Sequence, residues 1–245
     1  ALGSRGACLI HDYSDKKDWK GFLLSERKHF ENLAKKLKNS DLQMCTHAIG
    51  DSANRTILQI YGDVLGIKNN RRWRIEHAQI VDKNDFNLFA KYSIIPSVQP
   101  THATSDMYWA EERLGKERLK YSYAYEDLLK QNGWLPLGTD FPVEEINPFK
   151  TFLAAVARKD SKNFPANGFQ KENALTRQQT IRGMTIWAAK AAFQENELGS
   201  LEVGKSADFI ILNQDLMTIP ETEILNTKVL ETYSNGKAVF RKDKS

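Results

Sequence analysis

Apolar and polar positions alternate with two different periods along roughly the first 190 residues of the chain. Short alternating or apolar-rich runs, which are typical of strands, occur in residues 42–47, 73–77, 94–99 and 134–140. Apolar residues three and four positions apart, which are typical of amphipathic helices, occur in residues 25–37, 51–65, 82–89, 121–131, 148–158 and 176–190. Strands and helices therefore follow each other in turn, and this order predicts an α/β fold with a parallel sheet.

Capping residues predict where the helices begin. Thr176 and Gln179 have the spacing of a capping box, and Pro148 suits the first turn of a helix. The residues expected to open the three earlier helices are Ser25, Asp51 and Asp82. Residues 101–119 show neither period and are predicted to form a polar loop with aromatic side chains.

The last part of the chain has a different pattern. Predicted strands cover residues 199–201, 207–212 and 229–234. Asn235-Gly236 is the signal of a type I′ turn, and it leads into a further strand at residues 238–240. The strand–helix alternation is therefore followed by a β-rich tail of about 50 residues.

Four polar residues follow the ends of the four predicted strands. His47, His77, His102 and Asp140 are 30, 25 and 38 residues apart, close to the length of one strand–helix unit. The carboxyl ends of parallel strands meet at one edge, where α/β enzymes place catalytic residues. The spacing predicts the rim of a (β/α)8 barrel, and four units amount to about half of such a barrel.

Imidazoles and a carboxylate at one rim can bind a divalent metal, and zinc suits this mixture of ligands. We expect His47, His77 and Asp140 to bind the metal, with Asp140 also transferring protons during hydrolysis of an amide-like bond by a metal-activated water. Each histidine could instead be structural, and Asp140 could cap a turn. His102 and Arg113 are candidates for substrate binding. The alternatives are that His102 is an incidental loop residue and that Arg113 is a salt-bridged surface residue.

The composition indicates which classes of binding partner are expected. The 35 basic and 31 acidic residues give a net charge of +4 and are scattered along the chain, so nucleic-acid binding is not expected. The apolar runs are too short for a membrane span, so no membrane partner is expected. Two cysteines, Cys8 and Cys45, are too few for a disulfide framework and are expected to be reduced thiols. The expected partner is a small-molecule substrate.

Seven segments together resemble the amidohydrolase superfamily, specifically amidohydrolase family 3, which contains enzymes similar to N-substituted formamide deformylase. The resemblance covers nearly the whole chain. The segments are residues 1–7, 47–51, 74–79, 99–102, 113–118, 138–143 and 199–212. Each is a weak signal alone, but their order and spacing make the set specific.

The resemblance implies a distorted (β/α)8 barrel with one or two metals and a small β-sandwich built from both chain ends. His47 and His77 match the metal-binding histidines that end the fifth and sixth strands, and Asp140 matches the aspartate that ends the eighth. Residues 1–190 would form the C-terminal half of the barrel, about strands 5–8. Residues 191–245 would form the C-terminal part of the sandwich.

The chain departs from the family pattern in two respects. Family members have a His-x-His pair on the first strand and a lysine that can bridge two metals, and neither is found here. We therefore expect weak or absent metal binding and no activity from this stretch alone. The complete protein is expected to hydrolyse a carbon–nitrogen bond other than a peptide bond. A non-catalytic barrel that binds a small molecule is the alternative, and open barrel edges would also allow a homo-oligomer.

Overall fold

The computed structural model describes residues 1–242, which contain two sheets. The parallel sheet has the order β1 (Cys45–Ala48), β2 (Arg74–His77) and β3 (Ile95–Ser97). The antiparallel sheet has the order β4 (Phe209–Leu212), β5 (Val229–Ser234) and β6 (Lys237–Arg241). The predicted α/β fold with a parallel sheet and a second, β-rich region is confirmed at this level.

Nine α-helices lie within the described residues. They are α1 (Arg27–Lys38), α2 (Asp51–Leu65), α3 (Phe86–Tyr92), α4 (Pro100–Asp106), α5 (Ala110–Leu119), α6 (Tyr125–Asn132), α7 (Pro148–Ala157), α8 (Arg177–Met184) and α9 (Ile186–Ala191). None of these helices combines the length and apolarity needed to cross a bilayer.

The main core lies between the parallel sheet and the helices beside it. The face of α2 that carries Ile57, Leu58 and Tyr61 is almost completely buried. The Tyr61 ring meets the buried Trp73 ring edge to face, with centroids 5.0 Å apart. Thr46 and Tyr61 also share a hydrogen bond of 2.6 Å between their hydroxyls. The period-3.6 pattern of residues 51–65 therefore marks the side of α2 that holds β1 in place.

The prediction of a fourth strand over residues 134–140 is wrong, because these residues do not form a complete strand. Only Leu137 pairs with the parallel sheet, through an isolated parallel bridge to Val98. Pro136 has no N–H to donate, and the Leu137 N–H donates to the Gly183 carbonyl at 3.0 Å instead of to a strand. Gly138 N–H still donates to the Val98 carbonyl at 3.0 Å, so the segment runs beside β3.

Two of the predicted helix starts are confirmed. The capping box of Thr176 and Gln179 forms at the start of α8, and Pro148 occupies the first turn of α7. Asn147 caps α7 by accepting a hydrogen bond from the Phe149 N–H at 3.0 Å.

The predicted caps at Ser25, Asp51 and Asp82 are wrong. The N-cap positions of α1, α2 and α3 are held by Glu26, Gly50 and Asp85. Asp51 is already helical, and its carboxylate accepts a hydrogen bond from the Ile10 N–H at 2.9 Å. The Asp82 carboxylate accepts from the Asn84 N–H in the turn before α3 and pairs with Arg55. Both acidic side chains therefore serve contacts other than a helix cap.

Residues 101–119 form α4 and α5, so the predicted loop is wrong. Pro100 starts α4 because its fixed φ and missing N–H suit the first helical turn. Gly115, with φ of 72°, interrupts α5 and explains the weak helical period. The helix predicted over residues 176–190 is similarly broken at Thr185, between α8 and α9.

The β-rich tail contains the predicted hairpin. Asn235 and Gly236 have φ of 48° and 74°, as a type I′ turn requires, and they connect β5 to β6. Residues 199–201 do not form the predicted strand, and Gly199, with φ of 87°, lies close to the backbone of Ile186. A second apolar cluster joins the tail to α7.

Candidate metal centre

Three polar side chains converge at the carboxyl edge of the parallel sheet. His77 ends β2, His102 lies in the first turn of α4 directly after β3, and Asp140 follows the segment paired with β3. One ligand atom of each lies within 4.8 Å of the others. His102 Nε2 is 3.3 Å from Asp140 Oδ2. We call these three residues the strand-end cluster.

His47 lies next to this cluster on β1. Its ring centroid is 4.4 Å from that of His77, in an edge-to-face arrangement. His47 is exposed, whereas His77 is buried, and His47 lines a cavity of about 580 Å³. The predicted metal-binding role of His47 stays a prediction, because the three-residue group that converges within the described residues does not include it.

His77 has the properties of a neutral metal ligand. Burial, together with the nearby His47 and His102 rings, lowers the pKa of His77 to about 4. Nδ1 is buried and has no hydrogen-bond partner among the described residues. A neutral imidazole is the form that binds metals, and a buried unpaired nitrogen is costly unless a ligand satisfies it.

The backbone is strained at two members of the cluster. His77 and Asp140 have φ of 77° and 60°, in the region that residues with a side chain rarely adopt. Such strain persists only where surrounding contacts impose it, and it is frequent at functional sites. Other non-glycine residues outside the cluster, such as Lys68 and Gln170, also have positive φ, so the strain accompanies the strand-end cluster but does not identify it.

His102 lies between two carboxylates. Its Nδ1 is 3.1 Å from Glu144 Oε1, and Nε2 faces Asp140. Burial alone would lower the pKa of His102, but the hydrogen bond and charge of Glu144 outweigh it and raise the pKa. Sequence reasoning missed Glu144, although it lies only four residues after Asp140 in the same strand-end loop.

A buried network joins the loop after β2 to α4. Asp106 Oδ2 accepts hydrogen bonds from the Tyr123 hydroxyl at 2.7 Å and from Gln79 Nε2 at 3.1 Å. Burial raises the pKa of Asp106, although the Tyr123 hydrogen bond opposes this. Asp106 lies one helical turn after His102, and Gln79 lies two residues after His77. The network therefore ties the two elements that carry the histidines, and no sequence motif identified it.

The profile of the amidohydrolase family matches residues 1–240 of the chain. The chain belongs to the amidohydrolase family. The predicted resemblance is confirmed.

Curated relatives of this family member align along most of its length. Protein LONG AFTER FAR-RED 3 of Arabidopsis thaliana is 36% identical over 98% of this chain and 41% of its own length. Putative amidohydrolase YtcJ of Bacillus subtilis is 28% identical over 99% of this chain and 46% of its own. N-substituted formamide deformylase of Arthrobacter pascens is 26% identical over 84% and 38%. The chain thus spans less than half of the length of these relatives.

Two solved archaeal structures share the fold of this amidohydrolase. An uncharacterized metal-dependent hydrolase from Pyrococcus horikoshii OT3 aligns with a TM-score of 0.80 and 32% identity, over 90% of this chain and 44% of that one. Its counterpart from Pyrococcus furiosus aligns with a TM-score of 0.78 and 28% identity, over 89% and 43%. Both neighbours are described as metal-dependent hydrolases.

Arg113, the second substrate-binding candidate, contacts the N-terminal loop. Its guanidinium pairs with Asp15, which also binds Arg5 at 2.7 Å, and its Nε donates to the Gly3 carbonyl at 3.3 Å. These contacts match the salt-bridged alternative for Arg113. A substrate contact by Arg113 stays a prediction.

The strand-end cluster fits a divalent metal. It supplies two imidazoles and one carboxylate, the donor types of catalytic zinc sites and of other first-row metals. The unpaired Nδ1 of His77 adds a donor that the described residues leave unsatisfied. His102, expected to contact substrate, is part of this group, so the structure places it with the metal-binding candidates.

Proposed function

We propose that this chain is the metal-binding half of an amidohydrolase that hydrolyses a carbon–nitrogen bond outside peptides, in an amide or formamide substrate. The convergence of His77, His102 and Asp140 at one sheet edge carries this proposal. Family membership supports the reaction class. The name of the Arthrobacter relative, an N-substituted formamide deformylase, supports the substrate class.

The proposal includes a partial barrel. In it, β1, β2, β3 and the segment 134–140 correspond to about strands 5–8 of a (β/α)8 barrel. The parallel order of the three strands and the adjacent bridge at Leu137 support this assignment. Residues 1–190 would be the C-terminal half of the barrel, and residues 191–245 the C-terminal part of a β-sandwich. Residues 243–245 of that part lie outside the described residues.

Each member of the cluster has a proposed role. His77 and His102 provide nitrogen ligands, and Asp140 provides an oxygen ligand, with His47 close enough to His77 to be a further ligand. When bound, a divalent metal supplies a Lewis acid that polarises the carbonyl and lowers the pKa of water. Asp140 accepts the proton of the attacking water and passes it to the leaving nitrogen. Zinc is the proposed metal because it suits nitrogen and carboxylate ligands.

The substrate is proposed to be a small molecule. The cavity of about 580 Å³ that reaches His47 lies in the size range of small-ligand sites. Because the 245 residues contain no His-x-His pair, we expect weak metal binding and no measurable turnover from this stretch alone.

Metal content tests the proposal most directly. The wild-type chain and the variants His77→Ala and Asp140→Ala would be equilibrated with zinc, desalted and analysed for bound metal. His29→Ala, on the exposed side of α1, is the matched control. Because this stretch is expected to bind metal weakly, we expect the wild type and the control to retain a small amount of zinc and the two cluster variants to retain less.

Two further outcomes decide between the hypotheses. If neither this chain nor a longer chain containing it binds metal under any loading condition, the hydrolase proposal fails, and a small-molecule-binding module replaces it. If metal is retained, assays with N-substituted formamides and simple amides, on this chain and on a longer chain containing it, test the bond type.

Self-association through the outer edge of β1, the terminal strand of its sheet, stays a prediction. Light scattering after size exclusion would measure it, and a monomer at all concentrations would contradict it.

A further inference from the structure

A second, smaller pocket lies beside the strand-end cluster. It has a volume of about 170 Å³ and is bordered by α4, α7 and the loop that follows α7. Glu144 lines this pocket and also faces His102 Nδ1 at 3.1 Å, whereas Asp140 faces His102 Nε2 at 3.3 Å. One imidazole therefore separates the pocket from the cluster. We call it the α4–α7 pocket.

Two carboxylates line the α4–α7 pocket, and the protein itself already donates hydrogen bonds to both. Glu144 Oε1 accepts from the Ser105 hydroxyl at 2.6 Å and faces the His102 ring. Asp160 accepts from the Tyr108 hydroxyl and from two backbone N–H groups of its own loop, at 2.8 and 2.9 Å. A ligand that donates hydrogen bonds would have to compete with these groups.

Hydrogen-bond donors, in contrast, remain available in the pocket. Lys150 and Lys159 line it, and each ammonium group has three donors. Each lysine pairs with one glutamate that does not line the pocket, Glu145 and Glu221 respectively. The side chains of these glutamates are 70% and 35% exposed, and ion pairs this close to water contribute little. Both ammonium groups can therefore turn to a ligand at small cost.

The Thr101 hydroxyl is a further unused group. Thr101 lines the pocket and is 7% exposed, and its Oγ1 is buried with no hydrogen-bond partner among the described residues. The neighbouring Thr104 hydroxyl, in contrast, donates to the Thr101 carbonyl at 3.0 Å. A buried hydroxyl without a partner is costly unless a ligand satisfies it.

We propose that the α4–α7 pocket binds a carboxylate carried by the substrate, with Lys150, Lys159 and the Thr101 hydroxyl as donors. A carboxylate only accepts hydrogen bonds, so it matches the donors that remain and does not compete for Glu144 and Asp160. This inference rests on the proposed function and deepens it. The substrate would be an amide or formamide with an acidic substituent, whose reacting bond lies at the strand-end cluster.

NMR titration of the metal-free chain tests the inference without turnover. The probes are N-formyl amino acids with one, two or three methylene groups between nitrogen and carboxylate, together with their neutral carboxamides. We expect at least one acid to bind about 10-fold more tightly than its carboxamide, because hydrogen bonds to a charged acceptor are stronger than those to a neutral one.

Three variants locate the carboxylate. Lys150→Met and Lys159→Met keep an apolar stem and remove the charge, so each should weaken binding of the acid about 10-fold and leave the carboxamide unchanged. Thr101→Val should weaken binding of the acid about threefold without lowering the free energy of unfolding, because the hydroxyl has no partner to lose. Lys120→Met is the matched control, since Lys120 is an exposed lysine that pairs with Glu117 outside the pocket.

The spacer series also tests whether the bound molecule reaches the cluster. We expect the ring signals of His77 to shift with at least one N-formyl acid and to stay unchanged with acetate, which fills only the pocket. If the acids shift signals of the α4–α7 pocket but never those of His77, the pocket does not hold part of the substrate and the inference is overturned.

Other outcomes would also overturn the inference. They are equal affinity for the acids and their carboxamides, and unchanged affinity in both lysine variants. Inorganic phosphate that binds as tightly as the acids would show a general oxyanion site and contradict the carboxylate assignment. These measurements use no metal, so the absence of zinc binding would refute the proposed metal site without changing their result.

Discussion

Positive φ angles occur both at the carboxyl edge of the parallel sheet and in the antiparallel sheet, but on different residues. In the antiparallel sheet they fall on Asn235 and Gly236, which tolerate this conformation and form the turn. At the parallel edge they fall on His77, Ala78 and Asp140, where the chain turns at the ends of its strands. The hairpin turn is thus formed by residues that favour positive φ, whereas at Ala78 the conformation is unfavourable for the residue and must be imposed by the surrounding fold.

The two regions also differ in how closely they are packed. Gly50, in the loop that follows His47, lies so close to Cys8 that an added Cβ would be 2.0 Å from the Cys8 carbonyl oxygen. Gly204, in the tail, has no atom within 4 Å of such a Cβ. All residues of β6 are exposed. The close contact at Gly50 holds the loop after β1 against the N-terminal segment, whereas the chain around Gly204 has no such contact.

The largest effect that should separate the two regions comes from a matched pair of glycine substitutions. Gly50→Ala has an ordinary φ of −75°, so its cost comes from the collision with Cys8 and should be about 3 kcal/mol or more. Gly204→Ala has φ of 94° and open space, so only backbone strain of about 1 kcal/mol is expected. Urea unfolding of both variants measures the difference. Equal losses would show that the edge is no more tightly packed than the tail.

Zinc bound at the strand-end cluster should increase the free energy of unfolding of the chain. At a zinc concentration of about 100 times Kd, binding to the folded state adds about 2.7 kcal/mol to the free energy of unfolding. We expect thermal unfolding to show this gain in the wild type and to lose it in Asp140→Ala. The tail variant Asn235→Ala should keep the gain. A gain retained by Asp140→Ala would place the metal elsewhere.

Removal of the Asp106 carboxylate should lower the free energy of unfolding more than removal of an ion pair in the tail. Asp106→Ala leaves the buried Tyr123 hydroxyl and Gln79 amide without their shared acceptor, at a cost of about 2 kcal/mol. Arg241→Ala breaks an exposed pair with Glu231, which should cost less than about 1 kcal/mol. Chemical denaturation of the two variants measures both values. Similar losses would contradict a structural role for the buried network.

The smallest expected effect is the pH dependence from Asp51, at the start of α2. Burial raises the pKa of Asp51, partly offset by the Ile10 and Ser52 N–H groups. A raised carboxyl pKa favours the protonated folded form, so its stabilising contribution is complete below the unfolded pKa and is lost as pH rises through the folded pKa. Asp51→Asn keeps an acceptor oxygen without titrating. The stability of the wild type relative to Asp51→Asn should therefore fall from acidic to neutral pH in urea titrations.

Much of the fold was predictable because its signals are local. The capping box of Thr176 and Gln179 and the turn at Asn235-Gly236 depend on residues within four positions of each other. The strand over residues 134–140 was overestimated because its apolar run does not reveal that Pro136 has no N–H and that the Leu137 N–H donates to Gly183, which leaves only a bridge between Leu137 and Val98. The helix α5 was missed because Gly115 interrupts its helical period.

The sequence by itself determined that His77, His102 and Asp140 follow strand-forming segments at the spacing of strand–helix units, and that the chain resembles amidohydrolases. These properties depend on short-range patterns and on order along the chain. Only the tertiary structure decided that His102 lies between Asp140 and Glu144, that His77 Nδ1 is buried without a partner, and that Arg113 pairs with Asp15. Those contacts join residues up to about 100 positions apart, and their geometry depends on how the separate elements pack.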